Sequence, residues 1–287
     1  MPQGNPHSLA LFWRKTGKRA AIHASLLFGC VVFFFPLAWM ISTSLKPLEE
    51  TMSLPPQWIP SEIRWQNYRE AVQAIPFFTY AKNTVYVATL GAVGMVLSSS
   101  LVAYGFSRIE WPGRDLFFYV TLGTMMVPFP VVMVPLYGVF REFHWIGSFK
   151  PLWVPCWFGA AFNIFLLRQF FMTLPKELSD SARIDGCTEI GVFTRIVLPL
   201  ARPALAVVAL FHFLFAWNDF LGPLLFLTRQ ETFTLSLGLQ FFQSQHGGTM
   251  WHHLMAASTL VILPVIVLFF FTQKTFIQGI TFTGIKG

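Results

Sequence analysis

The sequence predicts an all-α integral membrane protein with six spans and both termini on one side of the bilayer. Three observations carry this. Of the 287 residues, 54% are hydrophobic and only 11% are charged, whereas a soluble domain carries about 25% charged residues. Six apolar stretches are long enough to cross a hydrocarbon core of about 30 Å, which takes around 20 residues as helix. Threading those stretches through a bilayer puts thirteen of the 20 Lys and Arg on one side.

The six stretches are 21–45, 83–107, 115–139, 149–171, 203–227 and 254–273. The first follows Arg14, Lys15, Lys18 and Arg19, so it superficially resembles a secretory signal. Its length of about 25 residues exceeds the roughly 7–15 of a signal's apolar core, and no small-x-small cleavage site follows. It is read as a retained span. Residues 1–20 are then a cytoplasmic segment and 21–287 the membrane domain. An even number of spans puts Arg108, Arg114, Arg168, Lys176, Arg183, Arg195 and Arg202 on the side of the amino terminus. The positive-inside rule makes that side cytoplasmic.

Prolines fall inside the spans: Pro128, Pro130 and Pro135 in the third, Pro155 in the fourth, Pro264 in the sixth. Each removes a backbone hydrogen bond and tends to kink its helix. Local packing and a bundle that changes shape both remain open as explanations. Aromatics make up 17% of the chain, which suits lipid contact and interfacial anchoring. The net charge of +7 is spread among loops rather than gathered in a stripe, so no nucleic-acid partner is expected. Cys30, Cys156 and Cys187 are far apart in sequence, which indicates neither a disulfide framework nor a metal cluster.

The densest charge cluster is one internal segment, 175–200, PKELSDSARIDGCTEIGVFTRIVLPL. Pro175 suits a first helical turn, and Glu177 and Asp180 favour the positive helix end. The helix should run to about Asp185, with Gly186 supplying the left-handed residue that ends it. Thr188 is a candidate N-cap for a second helix. Ile190, Phe193 and Val197 then fall at i, i+3 and i+7, one apolar face. The pattern is a helix–turn–helix on the inner membrane surface: an interfacial connector, or a device that docks on something in water.

Glu177, Ala182, Asp185, Gly186, Phe193, Ile196, Leu198 and Pro199 resemble the EAA signature of permease subunits of binding-protein-dependent ABC importers. Ser181 and Cys187 stand where alanine is common, and both are small. The resemblance extends over nearly the whole chain after the first 20 or so residues, and points to the carbohydrate branch, similar to the smaller maltose-type subunit. Leu54–Pro60 with Asn67-Tyr68, Ala103–Arg108 with Pro112-Gly113-Arg114, Trp217-Asn218-Asp219, Gln273 with Phe276 and Gly279, and the closing Gly284–Gly287 carry it.

The resemblance implies a type I ABC importer permease fold in the bacterial cytoplasmic (inner) membrane. It implies that 175–200 is a coupling loop, with Glu177, Ser181, Ala182, Asp185, Gly186 and Cys187 engaging a cytoplasmic ATPase. The expected partners are a second homologous permease subunit, a dimer of ATPase subunits, an extracytoplasmic solute-binding protein and membrane lipid. The chain has no G-x-x-x-x-G-K-[ST] phosphate loop, the element that cradles nucleotide phosphates. It should therefore bind no cofactor, with ATP used by the partners.

Asn83, Asn163, His212, Asn218 and Asp219 are the polar residues inside the spans. Intramembrane polar groups often mark a pathway, so Asn163, Asn218 and Asp219 are the candidate translocation route. A structural hydrogen bond is the other reading of Asp219. His212 is expected to be packed and hydrogen-bonded. The outer segment 228–253, with His246, His252 and His253, reads as a solvated loop that reaches the binding protein. An ATP-independent six-span carrier or channel is the alternative class, and a carrier would call for more ionisable residues at mid-membrane than a single Asp219 in the outer half. A membrane enzyme would call for convergent His, Asp or Glu at one depth. Neither pattern is present in the sequence. The solute is a sugar or oligosaccharide by this resemblance, with a polyol or glycerol-phosphate-type solute as the alternative.

Overall fold

A computed structural model describes the backbone of residues 6–243 and 248–284, and the side chains of residues 17–243 and 248–273. His246, the side chains of Phe276 and Gly279, and the closing Ile285–Gly287 lie outside the described residues. Among those described, the regular structure is helical throughout. In order the helices are α1 (Pro6–Ser44), α2 (Gln66–Ala74), α3 (Phe77–Arg108), α4 (Arg114–Gly123), α5 (Phe129–Glu142), α6 (Lys150–Trp153) and α7 (Ala161–Thr173). They continue as α8 (Glu177–Ile184), α9 (Glu189–Val192), α10 (Leu198–Leu200), α11 (Arg202–Asn218), α12 (Leu221–Phe226), α13 (Leu235–Gly238) and α14 (Trp251–Gly284).

Four segments are long and apolar enough to span alone: Gly17–Ser44, Phe77–Arg108, Lys150–Thr173 and Trp251–Gln273. Two further crossings exist only as bent pairs, Arg114–Met126 with Phe129–Glu142 at 98° and Glu189–Leu200 with Arg202–Asn218 at 79°. Six spans result when each bent pair counts as one.

The third segment therefore departs from the continuous span expected at 115–139. Val127 is extended (φ −86°, ψ 111°) and Pro128 follows in the same region, because proline disfavours the helical conformation of the residue before it. Pro130 is tolerated in the first turn of α5, where its missing N–H breaks no helical bond. The fifth span also ends early. α11 stops at Asn218, and Asp219 is extended (φ −66°, ψ 121°) before α12 starts. In the fourth, α6 and a 3-10 turn at Val154–Phe158, with Pro155 in its first positions, precede the break at Gly159 (φ 81°).

The chain divides into two compact units, 1–71 with 242–260, and 72–241 with 261–287. In the first, the end of α1 is tied to the outer segment by the Asn67-Tyr68 pair. The Asn67 amide donates to the carbonyls of Ser44 and Lys46, both at 2.9 Å, and the Tyr68 hydroxyl lies 2.7 Å from Ser44 Oγ. Lys46 is fully buried with its ammonium 3.9 Å from the centre of the Trp39 ring, a geometry in which the ring face attracts the cation. Loss of hydration holds the Lys46 amine below its usual range.

In the second unit α3 is the central helix. It packs against α7, α11 and the 3-10 turn at 154–158. Its small residues allow this. A Cβ on Gly91 would lie 2.6 Å from His212 Nε2, and one on Gly94 would overlap the Trp157 indole. Small residues that let helix backbones approach are the usual means of association in lipid, where apolar burial gives little drive. Asn83 fastens the outer part of α3 by donating to the carbonyls of Glu231 (2.8 Å) and Phe233 (2.9 Å). The core below includes Met95, Tyr104, Leu167, Phe171, Val192, Val197 and Val208.

Candidate functional site

The charged segment folds as α8, a turn and α9. Cys187 N–H donates to Ala182 O (2.9 Å) and Gly186 N–H to Arg183 O (3.0 Å), the paired bonds of a Schellman ending. Gly186 has φ 81° and nothing within 4 Å of the position of a Cβ. Its requirement is thus one of backbone conformation alone. Thr188 caps α9 by accepting from Gly191 N–H at 3.2 Å.

The apolar face differs from the one expected. Ile190 is 76% exposed, while Val192 and Val197 are buried. Residues Phe193–Val197 form a π-helical turn, whose i→i+5 bonding brings Val192 and Val197 onto the same side. Among the sequence-predicted residues, Glu177, Ser181, Asp185 and Gly186 are exposed, whereas Ala182 and Cys187 turn inward against the core. Leu178, Ile184 and Ile190 add exposed apolar side chains to the outer face.

The inner face is a polar joint that the sequence did not disclose. Tyr104 Oη on α3 donates to Glu189 Oε2 at 2.6 Å. Arg183 donates to both oxygens of Glu189 (2.6 and 3.2 Å) and to Asp180 (2.7 Å). The Tyr104 ring also packs on Phe193, with centroids 5.1 Å apart. The Arg183 guanidinium and the Tyr104 hydroxyl together hold the Glu189 carboxyl below the usual carboxylate range, and Glu189 in turn raises the Arg183 pKa.

Beneath this joint two arginines cap opposite helices. Arg108 at the end of α3 donates to Phe171 O (2.5 Å) and Leu174 O (2.7 Å) at the end of α7. Arg168 on α7 donates to Phe106 O (3.1 Å) in the last turn of α3 and lies 4.1 Å over the Phe118 ring. Terminal carbonyls of each helix are thereby satisfied by a cation of the other, which favours both dipoles. Tyr104 and Arg108 lie within the Ala103–Arg108 stretch that carried the resemblance. That stretch was the available signal, but nothing in it points 85 residues away to Glu189.

The intramembrane candidates are placed apart. Asn218 donates to Leu214 O in its own helix (2.8 Å). Asp219 Oδ1 accepts from Gly222 N–H (3.1 Å) and so caps the start of α12. Asn163 instead lines a cavity of about 750 Å³ between α3, α7 and α11, together with His212, Phe162, Phe211 and Phe215. Asn163 and His212 are each 7% exposed. Asn163 Oδ1 and His212 Nε2 are buried with no hydrogen-bond partner. His212 is therefore packed as expected but not bonded as expected.

The outer histidines also differ from a solvated loop. His252 is 8% exposed, and His253 Nε2 lies 3.0 Å from Glu70 Oε2 in the same unit, because both residues sit in the first turn of α14 rather than ahead of it.

The class is that of a multi-spanning helical membrane protein whose surface helix pair is hydrogen-bonded to its central helix. Residues 95–282 match the family described as binding-protein-dependent transport system inner membrane component, and the chain belongs to that family: it is an ABC transporter permease, a multi-pass inner-membrane protein. It is 34% identical to the arabinooligosaccharides transport system permease protein AraQ of Halalkalibacterium halodurans, over 96% of this chain and 99% of that protein. It is 32% identical to the sn-glycerol-3-phosphate transport system permease protein UgpE of Pectobacterium atrosepticum, over 90% and 94%. The fold is that of a chain in a bacterial ABC transporter that imports the acidic polysaccharide alginate, with a TM-score of 0.78, 21% identity, and coverage of 96% of this chain and 99% of that one.

Proposed function

We propose that this chain is the permease subunit of an ATP-driven importer for a sugar or oligosaccharide, and that it transmits force rather than performing chemistry. The observation that carries the reading is the two-faced helix pair. Glu177, Ser181, Asp185 and Gly186 face outward beside exposed Leu178, Ile184 and Ile190. Ala182 and Cys187 seat the pair on the membrane core. An apolar patch rimmed by charge suits a protein partner, here one of two cytoplasmic ATPase subunits that consume ATP. Closure of those subunits moves the pair, and the Tyr104–Glu189–Arg183 joint passes the motion to α3.

A second, homologous permease subunit completes the pathway, and an extracytoplasmic binding protein delivers the solute. The route passes Asn163 and continues outward by Asn218 and Asp219. Sugar is favoured over a glycerol phosphate because the cavity beside Asn163 offers aromatic rings and neutral polar groups and no Lys or Arg among its lining side chains.

Gly186→Val tests the coupling role. No side chain stands where the new Cβ would go, so the effect is backbone strain of about 1–2 kcal/mol for a branched residue at positive φ. Uptake by the reconstituted transporter should fall roughly tenfold at normal expression, since 1.4 kcal/mol corresponds to a factor of ten. Normal uptake and normal solute-stimulated ATPase activity would sink the proposal. Copurification addresses the partners: a functional, ATP-independent homo-oligomer would refute the whole reading.

A further inference from the structure

We infer that the outer segment 51–60, TMSLPPQWIP, is a lipid anchor. It lies beside the outer end of α1 and meets the outer leaflet where headgroups give way to acyl chains. The inference stands apart from the solute reading and adds a membrane contact that is not a span.

The first argument is closure and composition. The Glu50 carboxylate accepts from Ser61 N–H at 3.1 Å and from the Ser61 hydroxyl, and Arg64 N–H donates to Leu45 O at 3.0 Å. The residues between Glu50 and Ser61 are therefore a compact loop with its ends held together. No charged residue falls among them. Met52, Leu54 and Ile59 are 72%, 89% and 83% exposed. One apolar side chain on a surface is ordinary, but several on one uncharged loop mark an interaction site.

The second argument is depth. Phe35, Trp39 and Ser42 fall at i, i+4 and i+7, one face of α1. The Trp58 ring packs on Phe35 and Trp39, with centroids 4.7 and 4.8 Å apart, and the Trp58 carbonyl accepts from Ser42 Oγ at 2.5 Å. At 1.5 Å per residue, Trp39 lies about 7.5 Å and Phe35 about 13.5 Å below the end of α1 at Ser44. The loop thus folds back down the side of a spanning helix, and Trp58 reaches the interfacial belt where Trp rings gather. A partner in water does not reach that level. Another spanning helix would, but such contacts favour small residues, whereas Met52, Leu54 and Ile59 are bulky. Phe33 and Phe34 of α1, at a similar level, are exposed as well.

The third argument is the backbone. An irregular chain cannot enter the hydrocarbon, where its polar groups find no partners, so the boundary is the deepest level open to it. Pro55, Pro56 and Pro60 lower the cost of going there, because proline has no N–H to leave unpaired. With no Lys or Arg in the loop, the attraction is apolar and does not require anionic lipid, unlike that of a basic amphipathic helix.

The test places p-benzoylphenylalanine, a photoreactive residue, in the complete transporter in vesicles of phosphatidylethanolamine and phosphatidylglycerol. The variants are Leu54→p-benzoylphenylalanine, Ile59→p-benzoylphenylalanine and, in the neck, Glu62→p-benzoylphenylalanine. All three positions are exposed, so the label displaces no packed side chain. After illumination, mass spectrometry should find phospholipid attached at 54 and 59 with a yield about fivefold or more above that at 62, since apolar contact is confined to the loop. Crosslinks at 54 and 59 to the binding protein or to the second permease subunit assign a protein interface and overturn the anchor. Equal lipid yields at all three positions, or none at 54 and 59, overturn it too.

A second arm repeats the measurement in vesicles of phosphatidylcholine alone. Yields at 54 and 59 within about twofold of the first vesicles support an apolar anchor, because no cation of the loop recognises anionic headgroups. A collapse of both yields there moves the contact to anionic headgroups and overturns it.

Discussion

Two polar clusters of this chain are built in opposite ways. On the cytoplasmic side, Glu189 accepts three hydrogen bonds from Tyr104 and Arg183, and Arg183 also donates to Asp180. Between α3, α7 and α11, Asn163 and His212 are more deeply buried, and Asn163 Oδ1 and His212 Nε2 have no hydrogen-bond partner. A satisfied network locks a single geometry, which is what a force-transmitting joint needs. A buried polar atom without a partner instead carries a cost. The two clusters thus differ in how far their polar groups are satisfied by the chain itself.

The largest expected effect comes from breaking the base of the joint. Arg108→Ala orphans the carbonyls of Phe171 and Leu174 at the end of α7, at about 1–3 kcal/mol for each buried acceptor. The thermal midpoint in detergent should fall clearly and uptake should fall with it. An unchanged midpoint would mean that the arginine cap is decorative.

The cavity side is probed by Gly91→Ala. The new methyl would lie 2.6 Å from His212 Nε2, and overpacking of this kind costs about 1–3 kcal/mol. Adding His212→Ala should restore most of the lost midpoint. A double variant no better than the single one would place the strain elsewhere.

Glu189→Gln keeps the shape of the joint and removes its charge. The effect should be smaller, since Glu189 and Arg183 are partly exposed and exposed pairs are screened. The sign with pH is definite. The folded-state pKa of Glu189 is depressed, so its contribution is fully present above the unfolded carboxylate value near about 4.3. It is lost as pH falls through the depressed value. Stability should therefore be flat in this respect from pH 8 to 5 and decline below, and Glu189→Gln should reduce that acid-side decline. An identical acid limb in the variant would count against the joint.

The smallest effect is a control on the same helix. Gly105 in α3 has nothing within 4 Å of its Cβ position. Gly105→Ala should stabilise by about 0.5–1 kcal/mol from helix propensity, the opposite sign to Gly91→Ala. A loss there would imply a contact surface that an assembled partner supplies.

Much of the fold was legible because membrane physics is written locally. The first, second, fourth and sixth spans, the Gly186 turn and the Thr188 cap follow from residues adjacent in sequence and lie close to their expected places, whereas the third span is broken and the fifth stops at Asn218. The broken third span was half legible. Pro128 and Pro130 announced a kink, but a 98° bend depends on what packs on either side. The apolar face at Ile190 was misjudged because a regular 3.6-residue period was assumed where a π-helical turn intervenes. For the intramembrane residues, polarity singles out Asn163, Asn218 and Asp219 alike, while their partners, Leu214 O for Asn218 and Gly222 N–H for Asp219, follow from the break after α11.

By itself, the sequence determined that this protein is helical, membrane-spanning and equipped with a charged helix–turn–helix loop, since apolar run length, charge placement and turn residues act over a few residues at a time. Only the tertiary structure decided what that loop is fastened to and how closely the membrane helices approach. Tyr104 and Glu189 are 85 residues apart, and the glycines at 91 and 94 of α3 leave the room that His212 and Trp157 occupy.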